Sequence, residues 1–568
     1  MNLNLQVEKN NTYDAIVIGS GISGGWAAKE LCEKGLKTLV LERGRKVEHI
    51  KDYTTAHKAP WQLPNRGQTP QSEIDEHYPK QSRTGYTIRE AHKHWFVKDS
   101  EHPYQEVKRF DWMRGYHVGG RSIMWGRHSY RLSDLDFEAN AKDGFGVDWP
   151  IRYKDIAPWY SYVEGFAGIH GMKENMPQLP DGNFLPPMEL NCVEQHLREK
   201  VDEKLGWKVT IGRTANLSQA HNGRTACQYR NMCIRGCPYG AYFSSLSSTL
   251  PAAAATGNMT LRPNSIAYEI LYDKDKKRAT GVRVIDAVTK EDIIFNAKII
   301  FCCASAIGTT QILMNSTSEA FPNGFGNQSG ELGHNVMDHH FRAMASADVE
   351  GYDDKYYRGR RPTGFYIMRF QNLDKASARK DYLRGWGYQG SATRGSWEHA
   401  VKELGVGPQL KDNLQEPGRW TIGMNAFAET LPYHENKIML DRENLDQWGL
   451  PTVIFDVEFK ENEKAMRKDM MNDGATMLEA AGFKNVRTHD RGSYPGLGIH
   501  EMGTARMGRD PKTSVVNKWN QVWESKNVFV TDGAFMTSAG CQNPSLTYMA
   551  FTARAADYAV KELNKQNL

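Results

Sequence analysis

Hydrophobic residues fall into short dense runs near both ends of the chain and thin out between them. Tyr13–Ile18 is almost unbroken apolar sequence, the pattern of a strand buried on both faces of a parallel sheet. A glycine-rich turn from Gly19 to Gly25 follows, then a helix-like stretch from Trp26 to Glu33 closed by Gly35. Thr38–Leu41 is a second apolar run, ended by Glu42, Arg43 and Gly44, and the three pieces make one βαβ unit. The pattern returns at Arg283–Asp286, Ile293–Phe295 and Lys298–Cys303, which predict strands; the last runs into Ala304–Gly308 and a helix through Ile312 and Leu313. Asn527–Thr531 predicts another strand and Asn543–Tyr558 an alanine-rich helix. Residues from about 50 to 110 carry His, Pro, Gln and charge without periodicity, and are expected to run over the surface or over a cofactor. From about 331 to 490, aromatic-rich segments punctuated by Gly and Asn predict a separate sheet-based domain.

Composition narrows the function classes. A net charge of +5 on 568 residues, with no dense Lys/Arg run, gives no electrostatic footprint for nucleic acid. No window of eighteen apolar residues exists, so no membrane span is expected. Met1–Asn10 lacks a basic stretch followed by an apolar one, so no export signal of its own is expected. Eight cysteines are too few for a disulfide scaffold. Five of them, Cys32, Cys192, Cys302, Cys303 and Cys541, stand among small or apolar neighbours and read as buried thiols.

Gly19, Gly21 and Gly24 have the G-x-G-x-x-G spacing between a strand and a helix. The first glycine permits the tight turn, the second lets backbone approach a pyrophosphate, and the third lets helix pack on strand. The helix N-terminus then offers N–H groups to phosphate. Glu42, eighteen residues past Gly24, can accept hydrogen bonds from ribose hydroxyls. With Ser23 in the turn and Arg43 beside Glu42, these residues are the first candidate cofactor set. The fingerprint by itself does not separate FAD from NAD.

Four later segments extend the pattern. Val118–Gly126 contains Gly119, Gly120, Ser122 and Met124; Ala304–Leu313 is a second glycine-bearing strand-to-helix passage; His500–Gly508 and Asp532–Ala534 are followed by Asn543, Pro544 and Thr547. In this order they resemble the flavin-contacting and C-terminal blocks of the glucose–methanol–choline (GMC) oxidoreductases, over nearly the whole chain. The resemblance implies an α/β (α+β composite) fold: a discontinuous Rossmann-like FAD-binding domain from 1–50, 105–130, 205–330 and 495–568, and an antiparallel-sheet substrate domain with surface excursions from 51–104, 131–204 and 331–494. It implies that His500 and Asn543 are the catalytic pair, and that Asp532, Asn543, Pro544 and Thr547 lie with Gly119, Gly120, Ser122 and Met124 at FAD. The types suit alcohol oxidation: neutral imidazole can take a hydroxyl proton, and an amide can hold the same oxygen without titrating. For Asp532, a helix-capping role is the alternative. Some family members link FAD covalently through a histidine two residues after the segment's serine. Met124 holds that position here, and His117 and His128 do not fall on it, so FAD is expected to bind without a covalent link.

Cys227, Cys233 and Cys237 form C-x5-C-x3-C-P within an insertion at 221–243. Three thiolates can cap three irons, and Gly236 and Gly240 let the loop wrap closely. With no fourth cysteine nearby, a [3Fe–4S] cluster is favoured over a four-iron one; Cys192 is a distant candidate fourth ligand, and a zinc site completed by His221 is the alternative. Within the GMC family the cysteines resemble those of bacterial sugar dehydrogenases of glucose, fructose, gluconate and glucoside 3-dehydrogenase type, and the overall resemblance is greatest to glucoside 3-dehydrogenase. That resemblance implies a sugar or glycoside substrate, electron transfer from FAD through [3Fe–4S] to a cytochrome c, and a small companion subunit whose export signal carries the chain to the periplasm. A GMC oxidase with structural zinc is the rival reading.

Overall fold

The structure is a computed structural model and describes residues 11–355, 363–395, 407, 408, 410, 411 and 418–568. Parts of the predicted sheet-based region, 356–362, 396–406, 409 and 412–417, and the first ten residues lie outside the described residues.

The first apolar run forms strand β1, Thr12–Ile18, at the centre of an eight-stranded sheet. β2, Thr38–Leu41, pairs parallel on one side of it and Met259–Arg262 beyond that. On the other side Asp292–Cys302 pairs parallel, and Ser525–Val530 parallel beyond it. The chain therefore leaves β1 in one direction and returns on its other flank much later. Such a switch point opens a crevice at the carboxyl ends of the strands, where ligands bind in open α/β sheets. Ser265–Asp273 and Arg278–Asp286 join antiparallel at one edge. Ile16, Leu39, Leu41 and Ile300 are fully or almost fully buried, each contributing about 1.5–3 kcal/mol.

Two differences from the sequence pattern have local causes. Helix α1 spans Ile22–Glu33, starting four residues before Trp26. Its first turn contains Gly24 and Gly25, poor helix formers kept small by contact: a Cβ on Gly24 would lie 1.9 Å from the Gly19 carbonyl oxygen. The strands predicted at Ile293–Phe295 and Lys298–Cys303 are one, Asp292–Cys302. Its first half alternates exposed and buried positions, which splits the apolar run in two without breaking the backbone.

The second sheet is antiparallel and six-stranded, in the order Lys484–Asp490, Ala343–Val349, Trp420–Ala428, Trp386–Arg394, Phe365–Ile367, Val209–Ile211. Helices Cys192–Leu205 and Glu461–Ala480 cover one face, burying Tyr388, Ala392, Ile422, Met424 and Ala426. Period-2 alternation sends Gln389, Ser391, Gly423 and Asn425 to the other face, towards the crevice. A small third sheet pairs Pro451–Asp456 with Lys437–Leu445 and Gln105–Glu106. From 50 to 110 the chain has short helical turns and one seven-residue helix, Gln71–His77. Among the described residues no helix is long and apolar enough to cross a membrane.

Candidate active site

One continuous cavity runs from the glycine turn to the C-terminal blocks. Gly19, Gly21, Ser23, Glu42 and Arg43 line it, as do Gly120, Ser122 and Met124, and His500, Asp532 and Asn543. The sequence-predicted residues are thus brought together across nearly the full chain length.

The glycines divide their work. Gly19 has φ +99°, and a Cβ there would stand 2.4 Å from the Cys303 carbonyl oxygen at the end of the neighbouring strand. A Cβ on Gly21 would meet nothing within 4 Å, so its free face is the open wall of the cavity. Gly19→Ala should therefore cost at least about 1–3 kcal/mol of local strain and yield flavin-depleted protein, measured by the ratio of flavin to protein absorbance; full flavin content would contradict this. Gly119 and Gly24 lie behind the lining, Gly119 donating its N–H to Ser20 Oγ at 3.0 Å.

Glu42 is 6% exposed and joins the turn to the second strand. Its carboxylate accepts from Ser20 N at 3.2 Å and Gly44 N at 2.8 Å, while burial pushes its pKa up. Arg43 reaches Asp446 at 3.3 Å. Asp532 caps the short turn Gly533–Phe535 by accepting from Ala534 N at 3.0 Å, and it also accepts from the Thr309 hydroxyl. Burial raises it to about 6. Both readings of this aspartate meet in one residue, a cap that also faces the cavity. Pro544 is the cap of helix Ser545–Asn564, whose N-terminal Ser545 and Tyr548 reach the cavity and present the positive end of its dipole. Thr547 turns away, sharing a 2.8 Å hydrogen bond with Tyr160.

FAD fits this cavity on the structure's own terms. Besides the bare face of Gly21, Ser23 Oγ, Arg43 Nε and Tyr548 Oη are buried without a protein partner, and all three residues line the cavity. Buried polar atoms are rarely left unpaired, and a polar ligand threaded along the crevice would satisfy them.

His500 sits on a loop held by Asp338, whose carboxylate accepts from Gly498 N at 2.9 Å and His500 N at 3.0 Å. Burial and the neighbouring Glu501 push Asp338 up to about 7. Glu501 is paired by Arg121 through two hydrogen bonds of 3.0 and 2.7 Å. Ile499 takes φ +64°, strained for a β-branched residue and sustained by these contacts. The ring of His500 meets His339, Nδ1 to Nδ1 at 2.9 Å, and His339 Nε2 reaches the Gly540 carbonyl at 2.7 Å. A carbonyl only accepts, so His339 carries its proton on Nε2. Burial lowers His339 to about 4, leaving its Nδ1 bare at neutral pH. His500 must then donate from Nδ1, which leaves its Nε2 with a free lone pair. Burial first, then His339, Arg121 and His128, push His500 well below the usual imidazole range. It is a neutral ring in the tautomer that can take a proton. Asn543 lines the same cavity at 9% exposure, its Oδ1 accepting from Gln389 Nε2 at 2.6 Å. His339, Asp338, Arg121 and Gln389 were not found as site residues from sequence; the adjacent Asp338, His339 and His340 were the available signal.

The cysteine insertion forms another wall. Ile234, next to Cys233, lines the main cavity with His128, and both also line an adjoining cavity that Cys233 touches. Cys227 and Cys233 interact electrostatically with each other and Cys227 with Cys237; burial pushes Cys227 up to about 11. Tyr229, Asn231, Gly236 and Gly240 all have positive φ, and Tyr229 N donates to Cys227 Sγ at 3.4 Å. Left-handed turns that aim N–H groups inward are the backbone of many iron–sulfur sites. Among the described residues no group of three or more His, Cys, Asp or Glu converges on a single metal ion. His221 Nε2 is engaged by the Gly165 carbonyl at 2.7 Å. Cys192 begins a helix in the core beneath the second sheet. Of the five cysteines read as buried, Cys32, Cys302, Cys303 and Cys541 are so, and Cys192 is half-buried.

The GMC oxidoreductase family profile matches residues 13–341 and 432–552. The chain belongs to the GMC oxidoreductase family and is an FAD-dependent oxidoreductase acting on CH–OH groups. It is 29% identical to 2-methyl-1,2-propanediol dehydrogenase of Mycolicibacterium austroafricanum, covering 96% of this chain and 94% of that one. It is 26% identical to the fructose dehydrogenase large subunit of Gluconobacter japonicus, covering 97% and 98%. Among solved structures, pyridoxine 4-oxidase from Mesorbium loti shares the fold, with TM-score 0.60, 14% identity and coverage of 96% and 98%.

Proposed function

We propose that the chain is the flavoprotein subunit of a sugar or glycoside dehydrogenase, with C3 of a glucoside as the first substrate to test. The observation that carries this reading is the shared cavity: a neutral His500 with a bare Nε2 and Asn543 line the same crevice as the glycine turn. His500 Nε2 accepts the substrate's hydroxyl proton, and Asn543 holds the same oxygen. FAD, held without a covalent link by Gly19, Gly21, Ser23, Glu42 and the residues around Gly120, Ser122 and Met124, supplies a hydride acceptor. The open sheet face beyond Asn543 carries Gln389, Ser391, Thr393 and Asn425, amides and hydroxyls suited to a substrate with several hydroxyl groups. The relative named for fructose supports the same substrate class. Cys227, Cys233 and Cys237 would hold a [3Fe–4S] cluster, which supplies one-electron transfer towards a cytochrome c. A companion subunit carrying the export signal would make the location periplasmic; the relative named as a large subunit supports a multi-subunit assembly.

The test is anaerobic mixing with methyl glucoside, glucose, fructose, gluconate and 2-methyl-1,2-propanediol, following flavin absorbance. Bleaching by a sugar or glycoside is expected. Bleaching by the simple diol alone, or by none, would overturn the substrate class. The rate also has an expected pH dependence. A base whose pKa is depressed stays unprotonated as pH falls, so the flavin-reduction rate should hold through pH 6 and decline only well below the usual imidazole value of about 6.5. A decline centred near that value would contradict the environment described for His500.

A further inference from the structure

Asn543 can serve a substrate oxygen in two ways that are chemically opposite. Its NH2 group donates, which favours a hydroxyl becoming an alkoxide; its carbonyl oxygen accepts, which does not. Which end faces the substrate depends on what holds the other. Gln389 Nε2 donates to Asn543 Oδ1 at 2.6 Å. We propose that Gln389 is the positioning residue that turns the Asn543 amide, so that its NH2 group is presented to the reacting oxygen. The proposal rests on the reading of His500 and Asn543 given above.

Gln389 is itself aimed by the sheet. Its neighbour Tyr388 points to the opposite face, where its hydroxyl donates to the Met470 carbonyl at 2.8 Å, and strand alternation then commits Gln389 to the cavity side. The strand Trp386–Arg394 is gripped on both sides, with Gln389 opposite Asn425 and opposite Tyr366. The side chain therefore reaches Asn543 from a fixed base, linking the second sheet to the start of the C-terminal helix. If the Asn543 amide turned while Gln389 kept its orientation, NH2 would face NH2, donor against donor, and the buried Asn543 oxygen would lose its partner. The same logic operates on the other member of the pair, where His339 decides which nitrogen of His500 is bare. Each member of the proposed catalytic pair is thus set by one side chain from the second-sheet side of the crevice.

Two substitutions separate orientation from mere packing. Q389L removes the donor and leaves the amide free to turn. Q389E replaces the donor with an acceptor when ionised, which draws the Asn543 NH2 towards the sheet; when protonated, its O–H donates to Oδ1 and restores the native arrangement. The charged and titratable groups lining these cavities are Arg127, His128, Cys233 and His500, and also Glu42, Arg43, Arg114, Arg121, Glu501 and Asp532. Asp532, raised to about 6 by burial, gains its proton in the wild type and in both variants alike, so recovery is read as each variant's rate relative to wild type at the same pH. Burial lowers His128 to about 3 and holds His500 well below the imidazole range, so neither imidazole gains charge between pH 8 and pH 5.

Flavin-reduction rate and substrate affinity are measured in stopped flow on holoenzyme, with flavin content and Tm alongside. At pH 8, Q389E should slow reduction about 100-fold and Q389L about 10-fold, with smaller changes in substrate affinity and unchanged flavin content. On lowering the pH to 5, Q389E should recover most of the loss and Q389L none. Wild-type rates in both variants, or equal losses in both with no recovery on acidification, would overturn the assignment. A wild-type enzyme that no substrate bleaches would instead overturn the proposed function.

Discussion

His500→Ala should slow substrate-driven flavin reduction about 10²–10⁴-fold, the usual contribution of a general base, with FAD still bound. The alanine leaves Asp338 and the loop intact, because the carboxylate holds the backbone N–H of residue 500 and not its side chain. What disappears is the bare Nε2 that the chain Gly540 carbonyl, His339, His500 creates. The measurement is single-turnover bleaching across pH 5–10. Part of the lost rate should return at high pH, where solvent can take the hydroxyl proton. A variant that bleaches at the wild-type rate would show that proton removal lies elsewhere.

Cys233→Ser should split the two halves of the reaction. Substrate should still bleach the flavin at close to the wild-type rate, while reduction of a cytochrome c falls to background. Cys233 touches the cavity adjoining the active site, and Ile234 beside it lines the active-site cavity itself, so a redox centre at this loop would lie within short reach of the flavin. A serine hydroxyl is a poor ligand for iron. Flavin content and iron content are measured on the same sample, so that a folding defect is recognised by loss of both. Unchanged cytochrome reduction in a variant lacking iron would exclude the loop from the electron path.

Elements buried on both faces were legible in the sequence. β1, the glycine turn and β2 follow from an apolar run, a G-x-G-x-x-G spacing and a second apolar run, because each feature answers a local requirement. The start of α1 was hidden by Gly24 and Gly25, where a packing requirement between Gly19, Ser245 and Thr249 overrides helix propensity. Met259–Arg262 and Ser265–Asp273, which complete the first sheet, were not found: the first is short and alternates apolar with polar residues, and the second is apolar but interrupted by Glu269. At the site, His500 and Asn543 were legible through the motifs that surround them. Their partners were not, since His339 and Gln389 come from loops and strands far away in sequence whose meeting is fixed only by tertiary packing. Gln389 is an ordinary polar residue on an alternating strand until its distance to Asn543 is known.

The most direct measurement of the central claim is electron paramagnetic resonance on oxidised holoenzyme, before and after anaerobic addition of the sugar or glycoside that bleaches its flavin. Oxidised protein containing iron and giving a cluster signal, which is lost once substrate has reduced the flavin, is the predicted result. Protein that bleaches with substrate yet is free of iron and silent in the oxidised state, with metal retention checked through purification, would contradict it.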